Sequence, residues 1–117
     1  MIPFGTHIVT LYHAAEQGYT RHTLVNCSWK STNDRSLQDG ATIITERTTC
    51  RILPQYTRPV PGDMLVLGVV EEDAASEIEL VRLMEKLRSE GFRAFRVQSC
   101  SDNSEGVPLP HYAAVGA

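Results

Sequence analysis

The chain has no Cys-x-x-Cys or His-x-x-x-His pair, no Gly-x-Gly-x-x-Gly or Walker loop, no Gly-x-Ser-x-Gly elbow and no long apolar run. Each absence removes a class of function. A zinc site usually draws at least two ligands from one close pair, because a single turn or helix must present them together. His7, His13, His22 and His111 are scattered; His7 and His13 fall at the two ends of one strand candidate, roughly 20 Å apart at ~3.3 Å per residue. They read as surface or edge histidines. Without the glycine loops there is no phosphate cradle, and without the elbow no frame for a serine hydrolase. Cys27, Cys50 and Cys100 are odd in number and far apart, which excludes a disulfide framework and fits a reducing compartment. Cys27 sits on an apolar strand face, as a buried inert thiol does. No stretch nears the ~18 apolar residues of a spanning helix, and "MIPFGTHIV" has no basic n-region or apolar h-region. The sequence thus predicts no enzyme, catalytic residue, metal, cofactor or membrane partner, and no export by that route.

Excess positive charge is also missing. Eleven Lys and Arg face 14 Asp and Glu, for a net charge of -3, so no global attraction draws the chain to nucleic acid. The acid is concentrated in Glu71, Glu72, Asp73, Glu77 and Glu79, at a predicted helix start where the helix dipole favours it. Aromatic residues are 7% of the chain, with one Trp.

What is present is strand pattern and one helix, in 117 residues that fit a single domain over 1–117. "THIVTLYH" (Thr6 to His13) and "YTRHTLVNCSWK" (Tyr19 to Lys30) are rich in β-branched and aromatic residues and predict a hairpin, with Val25, Cys27 and Trp29 on one face. "STNDRSLQDG" (Ser31 to Gly40) reads as an exposed polar loop. "ATIITERTTCRIL" alternates in neither register cleanly, which predicts a bend, a bulge or an exposed segment. Pro54, Pro59 and Pro61 interrupt regular pairing, and Pro61-Gly62 suits a type II turn into a strand from Met64 to Val70.

The helix of about residues 77–90 has a capping box in Ser76 and Glu79 and a terminating Gly91. Leu80, Leu83, Met84 and Leu87 form its apolar stripe. A further strand runs through Phe95, Val97 and Ser99, and the prolines of "VPLPHYAAVG" allow an edge strand or an extended segment over 107–117. The sum is a mainly β (α+β) fold: a small five- to six-stranded antiparallel barrel with one amphipathic helix between strands four and five. The helix is expected to plug the barrel end over Trp29, Phe95 and Val97.

A polar third strand, a long polar loop and a proline-bearing tail are features of a subunit that completes its surface with neighbours. Asn33, Asp34 and Arg35 in the loop and Pro108, Pro110, His111 and Tyr112 in the tail are the candidate subunit contacts. Nucleic acid ranks second as a partner. Small barrels bind single strands through aromatics set among basic residues, and Arg47, Arg51, Arg93 and Arg96, near Tyr19 and Phe92, would carry such binding or that of a nucleotide.

Four motifs, "VTLYH", "VNCSW", "PGDMLVLG" and "FRVQSCSDNSEGVPLPHYAAVG", resemble a family of short uncharacterised proteins of phages and prophages of Gram-positive bacteria. The likeness runs over nearly the full length; the helix of residues 77–90 is not among its motifs. It implies a virion morphogenesis protein similar to head-tail connector or head-completion proteins. Such a protein is a small β-barrel that forms homo-oligomeric rings, meets neighbouring phage ring proteins, and is assembled in the host bacterial cytoplasm into the virion. It implies no catalytic residues. Trp29 would anchor the second strand in the core while keeping one N–H for a partner; Gly62 and Asp63 would set a turn; Asp102 and Asn103 would form a tight turn.

Overall fold

A computed structural model describes residues 6–16, 18–103 and 110–116, apart from the side chains of 34, 36, 38 and 43–45. Its elements are β1 (His7–Ala15), β2 (Gly18–Gln38), β3 (Ala41–Ile52), β4 (Met64–Leu67), α1 (Glu77–Ser89), β5 (Ala94–Asn103) and β6 (His111–Gly116). The strands close into a barrel in the order β1-β2-β3-β6-β5-β4, each antiparallel to its neighbours. The mainly β barrel with a helix between its fourth and fifth strands is the expected architecture.

Period-two alternation fills the barrel. Val9 and Leu11 of β1, Leu65 of β4, Phe95 and Val97 of β5, Cys50 and Ile52 of β3 and Ala114 of β6 form one buried cluster with Leu24 and Cys27. The face predicted for β2 needs correction. Val25 is 40% exposed, and Leu24 takes its place inside. The cause is a bulge: His7 pairs with Cys27 but Val9 with Leu24, so β2 carries one extra residue there. Asn26 absorbs it in the left-handed region (φ 56°), which Asn tolerates better than most residues. Trp29 regains the inner face at the core's edge, with its ring 5.2 Å from that of Phe95.

The helix does not plug the barrel. Leu80, Leu83 and Leu87 pack with Tyr12, Met64, Val66, Val70, Ala74 and Ala94, which are outward residues of β1, β4 and β5 and the strap leading to the helix. β4 is apolar on both faces, and Tyr12 of β1 and Ala94 of β5 widen its outer apolar side. The barrel fills one face, so the other requires a second layer, and α1 supplies it. Met64–Leu67 is therefore a continuous apolar run, as strands covered on both sides are. Ser76 Oγ accepts from Glu79 N–H at 3.2 Å, while the Glu79 carboxylate accepts from Ala75 N–H at 2.7 Å, one residue before the position expected of a capping box. Tyr12 Oη donates to Glu72 O at 2.5 Å and Arg21 Nη1 to Val70 O at 3.0 Å, pinning the strap.

Two further expectations are corrected. The segment Ser31 to Gly40 is not a loop: β2 and β3 stay paired out to Gln38↔Ala41. Asp39 and Gly40, both at positive φ (51° and 78°), close them as a two-residue hairpin turn does. The C-terminal segment is neither a tail nor an edge. β6 pairs with β3 from Thr48↔Gly116 to Ile52↔Tyr112 and with β5 from Val97↔Gly116 to Asn103↔His111, so it closes the barrel. Residues 107–109, and Pro108 with them, lie outside the described residues.

The turn before β4 is as expected. Asp63 N–H donates to Val60 O at 3.0 Å, and Gly62 takes φ 98°, which suits the third position of a type II turn.

Candidate assembly interface

β1 reaches β2 only as far as Cys27, and β6 reaches β3 only as far as Thr48. Beyond those points β2 and β3 pair with each other alone. Seven residues per strand, Thr32–Gln38 against Ala41–Arg47, project as a two-stranded arm of about 23 Å at ~3.3 Å per residue. Near the tip Leu37 is 76% exposed. A lone two-stranded ribbon in water is marginally stable, because neither face is covered.

Cross-strand partners point to the same side, so the register sorts the arm's side chains. Asn33 (opposite Glu46) and Arg35 continue the face that carries Trp29 and Ser31 inside the barrel; Lys30, Arg47 and Arg51 lie on the opposite, outer face. Asn33 and Arg35 are exposed, and the side chain of Asp34 lies outside the described residues. Of the C-terminal candidates Pro110 is exposed. His111 is half-buried beside Asn103, Nδ2 to Nε2 3.4 Å, and Tyr112 packs against the barrel core. Among the described candidates, Asn33 and Arg35 lie on the arm, while His111 and Tyr112 belong to β6 in the barrel wall.

At the root of the arm is a cavity of about 420 Å³ that sequence reasoning missed. Trp29, Ser31, Glu46 and Thr48 line it from the arm side, and Arg88, Phe92, Arg93 and Ala94 from the helix end and the start of β5. Ser31 Oγ and Thr48 Oγ1 are 3.1 Å apart, sharing a hydrogen bond. Arg88 donates through Nε and Nη2 to Ala94 O at 3.1 and 2.7 Å. The Trp29 Nε1–H is buried without an acceptor among the described residues. In the sequence the only trace was an unpaired indole at the end of a strand; the helix and β5 that complete the cavity are 59 or more positions away, from Trp29 to Arg88.

The four arginines weighed for nucleic acid do not converge. Arg47 and Arg51 lie on the outer face of β3, and Arg93 is at the cavity. Arg96 is held on the helix side by Glu77 at 2.8 Å and by Gly62 O, to which its Nε donates at 2.9 Å. That ion pair and a hydrogen bond from Tyr19 Oη keep the Glu77 carboxyl below its ordinary pKa. Tyr19 and Phe92 pack under the helix and offer no exposed stacking platform.

The other polar cluster lies at the turn into β4. Asp63 is 0% exposed. Its Oδ1 accepts from Ala14 N–H at 2.9 Å, and its Oδ2 accepts from Val60 N–H at 3.0 Å and sits 2.6 Å from His13 Nδ1. His22 lies near, 6.5 Å between ring centroids. The carboxylate accepts from two backbone donors, so the cluster fastens the turn to β1. Among the described residues no three His, Cys, Asp or Glu side chains are grouped as metal ligands, and no helix is long and apolar enough to cross a membrane. Cys27 and Cys50 are buried free thiols; a hydrogen bond from Cys50 to Cys27, together with burial, holds the Cys50 thiol well above its usual range.

Compared with known proteins, residues 4–117 match the model of a family described as "Family of unknown function (DUF6751)". The chain belongs to that family. No curated protein matches it, and no solved structure does.

Proposed function

We propose that this DUF6751 protein is a structural virion component, a head-tail connector or head-completion subunit. It binds copies of itself and neighbouring ring proteins, and is assembled into the virion in the host bacterial cytoplasm. The observation that carries this reading is the arm: a two-stranded ribbon with an exposed Leu37 and no second layer. A ribbon of that kind gains stability when another chain covers it. The motif likeness to phage proteins points the same way.

The test shortens the arm by replacing residues 33–46 with an Asn-Gly turn, which leaves the barrel pairings intact. The full chain, alone or co-expressed with the products of flanking genes, should sediment as an oligomer, and the shortened one as a folded monomer. Equal assembly of both, or none by either, would refute the proposal. Portal and tail genes on either side of the coding sequence are the matching genomic expectation.

One observation favours a second reading, contact with nucleic acid. Lys30, opposite Thr49, lies diagonally between Arg47 and Arg51 on the outer face. None of the three makes a hydrogen bond or ion pair with the described residues. Like charges so placed repel, and a phosphate backbone would relieve them. Three phosphate contacts predict a log–log salt slope of about -2 on single-stranded DNA; no binding at low salt removes this reading.

A further inference from the structure

The cavity at the root of the arm is built mainly from donors. The indole N–H of Trp29 is buried with no acceptor among the described residues, and leaving such a donor unmet is costly in a folded protein. Arg88 spends Nε and Nη2 on Ala94 O, and its Nη1 has no acceptor among the described residues. The Arg93 guanidinium makes no hydrogen bond or ion pair with the described residues. The hydroxyls of Ser31 and Thr48 share one hydrogen bond. Against these donors stands one acceptor group, the Glu46 carboxylate, which pairs with neither arginine. Two guanidinium charges and one carboxylate leave the site one positive charge in excess. The Phe92 ring and the indole face add apolar wall.

We infer that this cavity is a carboxylate site, filled by a glutamate or aspartate side chain of a neighbouring subunit. A single carboxylate balances the excess charge. It accepts from the Arg93 fork in two-point fashion and from Arg88 Nη1 and offers an oxygen to the orphaned indole N–H, while its methylene stem lies against the aromatic walls. A dianion such as phosphate would leave net negative charge beside Glu46, and a cation would face two arginines. The identity of the carrier rests on the assembly reading; the preference for a carboxylate rests on the cavity alone.

The cavity carries its own reporter, because Trp29 is the only tryptophan. Its emission should shift saturably when the full chain is titrated with acetyl-Ala-Glu-Ala-amide at constant ionic strength. The glutamine peptide should bind at least about tenfold more weakly, since a hydrogen bond to a charged group contributes that much or more. Arg93→Ala, an exposed position, should lose about tenfold with its urea midpoint unchanged. The inference is overturned if the glutamate peptide gives no saturable shift or the glutamine peptide matches it. Tighter binding of the lysine peptide or of inorganic phosphate overturns it as well. Sedimentation of Arg93→Ala separates the two proposals: loss of the peptide site with assembly intact counts only against the occupant named here.

Discussion

Asp63 gives the sharpest quantitative test of how this barrel is fastened. Its carboxylate is fully buried and accepts the backbone N–H groups of Ala14 and Val60, with His13 Nδ1 against the same oxygen as Val60. In Asp63→Ala both backbone donors lose their acceptor. A buried orphaned N–H costs about 1–3 kcal/mol, so the pair costs roughly 4 kcal/mol, a large share of the ~5–15 kcal/mol that holds a small domain folded. Asp63→Asn keeps one acceptor oxygen and strands one donor, for about 2 kcal/mol. The His13 imidazole can change tautomer to accept from the new amide, and His13→Ala, at a partly exposed ring, should cost under about 1 kcal/mol. With a urea m-value of about 2 kcal/mol/M, the midpoint should fall by about 2 M for Ala and about 1 M for Asn. An Asp63→Ala midpoint within about 0.3 M of the parent, at unchanged m, would refute the assignment of this carboxylate as the fastener.

Burial pushes the Tyr12 phenol up to about 12. A pKa raised by folding gives stability that is whole below the unfolded value near 10 and lost as pH climbs towards 12; alkaline titration of stability should show that loss, and Tyr12→Phe should make it smaller. Glu77 has the opposite sign: its pKa is lowered by Arg96 and Tyr19, so its contribution is present above the ordinary carboxylate pKa and disappears as pH falls through the folded one. Glu77→Gln should lose under about 1 kcal/mol at pH 7, the pair being exposed, and nothing near pH 2; an equal loss at both would contradict the pairing. Leu80→Ala should cost about 2–5 kcal/mol, since Leu80 is fully buried under the barrel's outer face, and a change under about 1 kcal/mol in thermal or urea melts would deny the second core. Removing β6 should abolish cooperative unfolding by circular dichroism, because it bares the edges of β3 and β5 together; a folded, truncated monomer would contradict its closing role.

Local order in this chain was legible from residue types. The Pro61-Gly62 turn, the Ser76 cap and the leucine stripe all express preferences that act over a few positions, and each appears where the pattern places it. Asp39-Gly40 was just as local a signal. It shows that Ser31 to Gly40 belongs to a hairpin, although its polarity suggests a loop; a strand outside the barrel has no buried face to make it alternate. The bulge at Asn26 was hidden because an inserted residue breaks the period without changing composition.

The sequence by itself determined that this is a one-helix β domain, because spacing and turn chemistry bias each segment before any distant contact forms. Only the tertiary structure decided which side of the sheet the helix covers, since Met64 and Leu65 are equally apolar and only barrel closure tells inward from outward. It also decided that the last strand seals the barrel, because pairing with β3 and β5 is a long-range fact. The cavity at the arm's root is of the same kind: Trp29 and Arg93 meet there through closure and nothing in their own neighbourhoods along the chain.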